Sequence, residues 1–122
     1  MRFLIVVAAA FMAASNYAQA ASDEFSIRHT ADLIAVCTIA PSEPNHASAI
    51  AFCHGILVGA YGYYDASTPA GCRFVCSTEP HPKRSKVMSD FAAWAKTRPE
   101  HMPNHAIDTL FIYLAEAYPC KK

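Results

Sequence analysis

The chain has 122 residues, room for one domain, and its 10 Lys and Arg balance 10 Asp and Glu to a formal charge of zero. Such a balance excludes the strongly basic surface of a nucleic-acid binder and gives no long-range attraction to anionic lipid. Five cysteines in so short a chain point to disulfides in an oxidising compartment, where a domain with a modest core needs them.

Residues 1–20 read as a secretory signal peptide. Arg2 precedes an apolar run from Phe3 to Ala14, then come Ser15, Asn16 and the small-residue triplet Ala18-Gln19-Ala20, after which cleavage is expected. The mature domain is residues 21–122, with a formal charge of minus one once Arg2 is removed. No cysteine follows the cleavage position, and the apolar run is too short to remain as a membrane span.

Thr30 is placed to cap a short helix from Ala31 to about Cys37, with Leu33, Val36 and Cys37 on one side. The segment from Thr38 to Asn45 carries Ser42, Pro41 and Pro44, a turn composition, and Pro44 suits the first turn of a second helix. That helix contains the most apolar stretch, Ala47 to Tyr64, interrupted only by Ser48 and His54. Apolar all round, it is expected at the buried centre of a bundle rather than in a membrane, since glycines, a histidine and the lack of a basic flank argue against a span. Gly55 and Gly59 form a small-xxx-small pair that admits a close neighbouring helix.

Asp65 to Pro82 lacks periodicity and forms a long connection. A third helix is expected from Lys83 or Ser85 to Thr97, with Val87, Met88, Phe91, Trp94 and Ala95 as its apolar stripe. Arg98-Pro99 stops it, and Pro103 or Asn104 starts a fourth helix running to Tyr118, with Ile107, Leu110, Phe111, Leu114, Ala117 and Tyr118 inward. The expected fold is all-α, a disulfide-stapled bundle of about four helices. Antiparallel packing of the first two helices sets Cys37 beside Cys53, and Cys120 after the last helix reaches Cys76, leaving Cys72 over.

No catalytic apparatus is visible: there is no nucleophile elbow, zinc-protease helix, phosphate loop or close carboxylate pair. Cys72 and Cys76 are a C-x3-C pair outside any βαβ pattern, so a redox couple is the weaker reading. His101 and His105 have a helical metal-ligand spacing that Pro103 between them disrupts, and no metal or cofactor is expected. His54 is read as a core histidine bonded to backbone or a facing tyrosine. Of Tyr61, Tyr63 and Tyr64, one or two are expected to face out as contact anchors.

Laid out in order, Ala31-Asp32-Leu33 to Cys37, Phe52-Cys53-His54-Gly55 with Gly59, Phe74-Val75-Cys76, Arg98-Pro99-Glu100, Pro103 to Leu114 and the ending Ala117-Tyr118-Pro119-Cys120 resemble the Rap/Tai family of periplasmic immunity proteins associated with type VI secretion amidase effectors. Cys72 and the Asp65 to Arg84 connection lie outside that pattern. The resemblance implies a small helical protein, often a homodimer, that binds a cognate peptidoglycan amidase and blocks its cleft without a reaction of its own. Two proline-stiffened loops are the expected contact elements: Thr78 to Arg84, with Thr78, Glu79, His81, Lys83 and Arg84, and Thr97 to His105, with Arg98, His101 and Asn104. Six histidines also admit a different class, a small periplasmic chaperone that dissociates in acid, and an exported interaction domain without an amidase partner is a third.

Overall fold

A computed structural model describes residues 25–121; the leader expected at residues 1–20 lies outside them. Four α-helices follow in order: α1 Thr30–Cys37, α2 His46–Ser67, α3 Arg84–Lys96 and α4 Ala106–Ala117, with single 3₁₀ turns at Ala70–Cys72 and Pro99–His101. Among the described residues there are no strands, only isolated antiparallel bridges joining His29 to His105 and Val75 to Pro119. The all-α bundle of four helices is as expected.

The start of α1 differs from the expected one. His29 is the N-cap, and the Asp32 carboxylate closes the turn by accepting from the backbone N–H groups of His29 at 2.9 Å and Arg28 at 3.1 Å. Those two N–H groups hold the Asp32 carboxyl below the usual carboxylate range, the His29 bond contributing most. Thr30 is instead fully buried, its hydroxyl 2.7 Å from Thr109 Oγ1 and 3.2 Å from the Asn104 carbonyl. The buried side of α1 is Leu33, Ile34 and Cys37, with Val36 at its edge.

Helix α2 is longer and less enclosed than its composition suggests. Asn45 is the N-cap, so Pro44 lies before the helix rather than in its first turn, and the helix runs three residues past Tyr64. Only Ala49, Cys53, Leu57 and Tyr64 are buried. The opposite side, including Gly55, Val58, Gly59, Gly62 and Tyr63, is exposed. A Cβ built on Gly55 or Gly59 meets nothing within 4 Å, so no helix among the described residues uses the small-residue pair. The three other helices are too short to surround 22 residues. Even so, among the described residues no helix is long and apolar enough to cross a membrane.

Helix α1 packs against α2, α3 and α4, and α3 against α2 and α4. Phe91, Leu33, Leu110 and Val75 are the largest fully buried apolar side chains, each contributing roughly 1.5–3 kcal/mol by leaving water. On α3 the buried side is Phe91, Ala92 and Ala95, with Val87, Met88 and Trp94 partly covered. On α4 it is Ala106, Thr109, Leu110, Tyr113 and Leu114, turned away from the expected stripe, so that Ile107 is 41% exposed. The turn follows from two attachments: Thr109 bonds Thr30, and the Tyr113 ring packs 5.5 Å from Phe91 and 5.7 Å from Trp94. Burial pushes the Tyr113 phenol well above its ordinary pKa.

Both expected disulfides are present. Cys37–Cys53 joins α1 to α2 across 16 residues, and Cys76–Cys120 joins the long connection to the C-terminal segment across 44. The second is framed by backbone bonds, Cys76 N–H to the Tyr118 carbonyl at 2.9 Å and Cys120 N–H to the Phe74 carbonyl at 3.4 Å. Cys72 is free and exposed.

Candidate functional site: two loops and a pocket

The connection after α2 is aperiodic in sequence but firmly held at its base. Arg73 pairs with the Asp65 carboxylate at 2.8 Å and donates to the carbonyls of Asp65 at 2.8 Å and Thr68 at 3.2 Å. The Tyr64 hydroxyl accepts from the N–H groups of Phe74 at 2.7 Å and Val75 at 3.0 Å. Three side chains thus replace the backbone ladder that a loop lacks, and the Cys76–Cys120 bridge follows directly. From Thr78 to Arg84 most side chains are exposed. His81 holds the loop's crest together, with Nε2 2.9 Å from Glu79 Oε1 and Nδ1 2.6 Å from Ser77 Oγ. The exposed cationic side chains of Lys83 and Arg84 have no ion pair or hydrogen bond among the described residues. Lys86, one turn on, is bound to Asp90 at 2.7 Å, which raises its pKa.

The second loop is more self-engaged. The Arg98 guanidinium lies 4.3 Å above the Trp94 ring and 3.7 Å from Glu116 Oε2. The Trp94 indole N–H donates to the same carboxylate oxygen at 2.7 Å, and the His101 ring stacks on Trp94 with centroids 5.4 Å apart. Asn104 Nδ2 is 3.3 Å from His101 Nδ1, while the Asn104 and Met102 carbonyls accept the N–H groups of Thr30 and Ala31. Helix α3 begins after one loop and ends before the other, and its 13 residues separate them by about 18 Å at 1.5 Å per residue. The eight residues proposed from sequence therefore occupy two surfaces: Thr78, Glu79, His81, Lys83 and Arg84 on one, Arg98, His101 and Asn104 on the other.

A cavity of about 300 Å³ lies between α2, α4 and the first loop, lined by His54, Leu57, Val58, Tyr61, Gly62, Val75, Ser77, His81, Pro82, Arg84, Val87, Leu110, Leu114 and Tyr118. Leu57, Val75, Leu110 and Leu114 are buried and form its floor, whereas Val58, Gly62, His81 and Arg84 are exposed and form its rim. The expected hydrogen bond from His54 to backbone or a facing tyrosine is not formed: its ring is only half-buried, and its buried Nε2 has no partner among the described residues. Sequence reasoning missed this cavity because its lining comes from α2, the long connection, α3 and α4, and no local pattern encodes how those segments meet. A lone histidine in an apolar run was its one visible sign.

A second, more open groove runs between α2 and the start of α4, lined by Gly55, Ile56, Gly59, Ala60, Tyr63, Tyr64, Ser67, Ile107 and Phe111. Tyr63 is 77% exposed, the outward tyrosine that was expected, and the groove's Tyr64 and Phe111 pack against Phe74 at 5.1 and 6.2 Å.

No curated protein and no solved structure matches the chain. A family model described as Rap1a immunity proteins matches residues 29–120, a span that takes in all four helices, both disulfides and both loops. The chain belongs to the Rap1a immunity protein family.

Proposed function

We propose that this immunity protein acts in the periplasm, where it binds a peptidoglycan amidase effector of a type VI secretion system and occludes its cleft without performing a reaction. The observation that supports this best is the Thr78 to Arg84 loop, whose exposed polar and cationic side chains project from a base held by Arg73, Tyr64 and the Cys76–Cys120 bridge. A loop fixed at its base loses little conformational freedom on binding, so more of its contact energy appears as affinity. We assign this loop to the cleft and the Arg98, His101 and Asn104 surface to a supporting contact, because Arg98 and His101 are already spent on Trp94 and Glu116. Two disulfides fit export to an oxidising compartment, as does the leader expected from the sequence of residues 1–20.

The family resemblance to homodimers is supported by the second groove. An apolar patch with Tyr63 and Ile107 exposed and glycines open to close approach suits α2 packing on α2 of a second copy.

The test is co-purification of the amidase with periplasmic protein in which residues 78–84 or 97–105 are replaced by alanine. Loss of capture with the first loop altered, and weakening with the second, is expected. Undiminished capture with both altered would dismiss the occlusion reading.

A further inference from the structure

We propose that the cavity between α2 and α4 is a binding site for a single-chain carboxylate amphiphile, such as a medium-chain fatty acid. Its alkyl chain lies along Val58, Tyr61 and Val87, above the buried Val75 and Leu110, and its carboxylate lies at Arg84. The site shares His81 and Arg84 with the loop assigned above to the amidase, but the proposal does not rest on that assignment.

Four observations carry it. Val58, Tyr61 and Val87 present apolar surface to the cavity, over the buried Val75 and Leu110. An apolar cavity of roughly 150 Å³ holds a six-carbon benzene ring, so about 300 Å³ suits a chain on the order of ten carbons. No carboxylate lines the cavity, and its one permanent charge is the Arg84 guanidinium, exposed on the rim and unpaired among the described residues. Glu79, the nearest acid in sequence, does not line it and is occupied by His81. Finally, His54 in its wall keeps a buried Nε2 without a hydrogen-bond partner among the described residues, a polar atom that the protein itself leaves unserved at a cost. Ser77, His81 and Pro82 form one side of the cavity, so an occupant would also brace the loop above it.

The experiment is calorimetric titration of the periplasmic, disulfide-bonded protein with hexanoate, octanoate and decanoate below their micelle concentrations, alongside decanol and decylamine. One-to-one binding is expected, tightening three- to fourfold per added methylene and about 200-fold from hexanoate to decanoate. Arg84→Gln should weaken decanoate about tenfold and leave decanol unchanged. Val58→Trp fills the rim and should abolish binding of both. If it alters the near-ultraviolet dichroism, Gly62→Met serves instead, since a Cβ at Gly62 meets nothing within 4 Å. A flat chain-length series, equal binding of decylamine, or indifference to the rim variants overturns the proposal. So does failure of every carboxylate to bind while the rim variants abolish amidase capture, which would make the cavity an anchor for a protein side chain.

Discussion

The hydroxyl pair of Thr30 and Thr109 gives the sharpest test of how this fold is held. Both residues are fully buried, and their Oγ1 atoms are 2.7 Å apart on elements 79 positions distant in sequence. The two hydroxyls are not equivalent, because Thr30 Oγ1 also lies 3.2 Å from the Asn104 carbonyl. Replacing Thr30 by valine keeps the shape but leaves the buried Thr109 hydroxyl without that partner, which should cost about 1–3 kcal/mol. The Asn104 carbonyl is spared, since it still accepts the Thr30 N–H at 2.9 Å. Thr109→Val leaves Thr30 bonded to Asn104, so its cost should be nearer about 1 kcal/mol, one lost hydrogen bond. The double variant removes both polar groups at once and should be more stable than Thr30→Val alone, close to the parent. In a thermal melt, a 2 kcal/mol loss lowers the midpoint by roughly 8–16 °C in a domain of this size. Urea unfolding of the four proteins with disulfides intact completes the double-mutant cycle. Simple addition of the two single costs would refute the reasoning, for it would mean that the hydroxyls do not satisfy one another.

Four further outcomes follow from the geometry. Removing Cys37–Cys53 or Cys76–Cys120 by paired alanine substitutions should lower stability by about 3 and about 4 kcal/mol, the second more because its loop is longer, as read from urea midpoints. The Asp32 carboxyl has a folded pKa below its ordinary 3.8, so its contribution to the start of α1 is fully present above that value and fades as pH falls through the lower one. Amide protection at the start of α1 should therefore hold across mild acid, and Asp32→Asn should remove the acid limb; a loss of protection near pH 6 would argue for the acid-chaperone reading. Gly55→Ala and Gly59→Ala should each stabilise the monomer by about 0.5–1 kcal/mol, because the added methyl meets nothing and helix propensity improves. Gly59→Arg should abolish a dimer in light scattering without lowering the monomer's melting temperature.

The helices, their order and both sulfur bridges were legible from local features. Prolines at 41, 44, 99, 103 and 119 punctuate the chain, and Cys37 at the end of α1, Cys53 in the first half of α2 and Cys120 after α4 limit which partners each can reach. The family, too, was visible in a scatter of short motifs whose order carries the specificity. The faces were less so. Composition made α2 a wholly buried rod, yet burial is a property of neighbours, and three shorter helices cover only the line from Ala49 through Cys53 and Leu57 to Tyr64. The stripe on α4 was turned because a threonine and a tyrosine with good distant partners, Thr30 and Phe91, bury in preference to an isoleucine with none. The separation of the two candidate loops, the cavity with its unpaired His54 nitrogen and the open groove along Gly55 and Gly59 were decided by packing alone. Periodicity reports which residues are apolar, while only the relative placement of helices determines which apolar surface is covered and which is left for a partner.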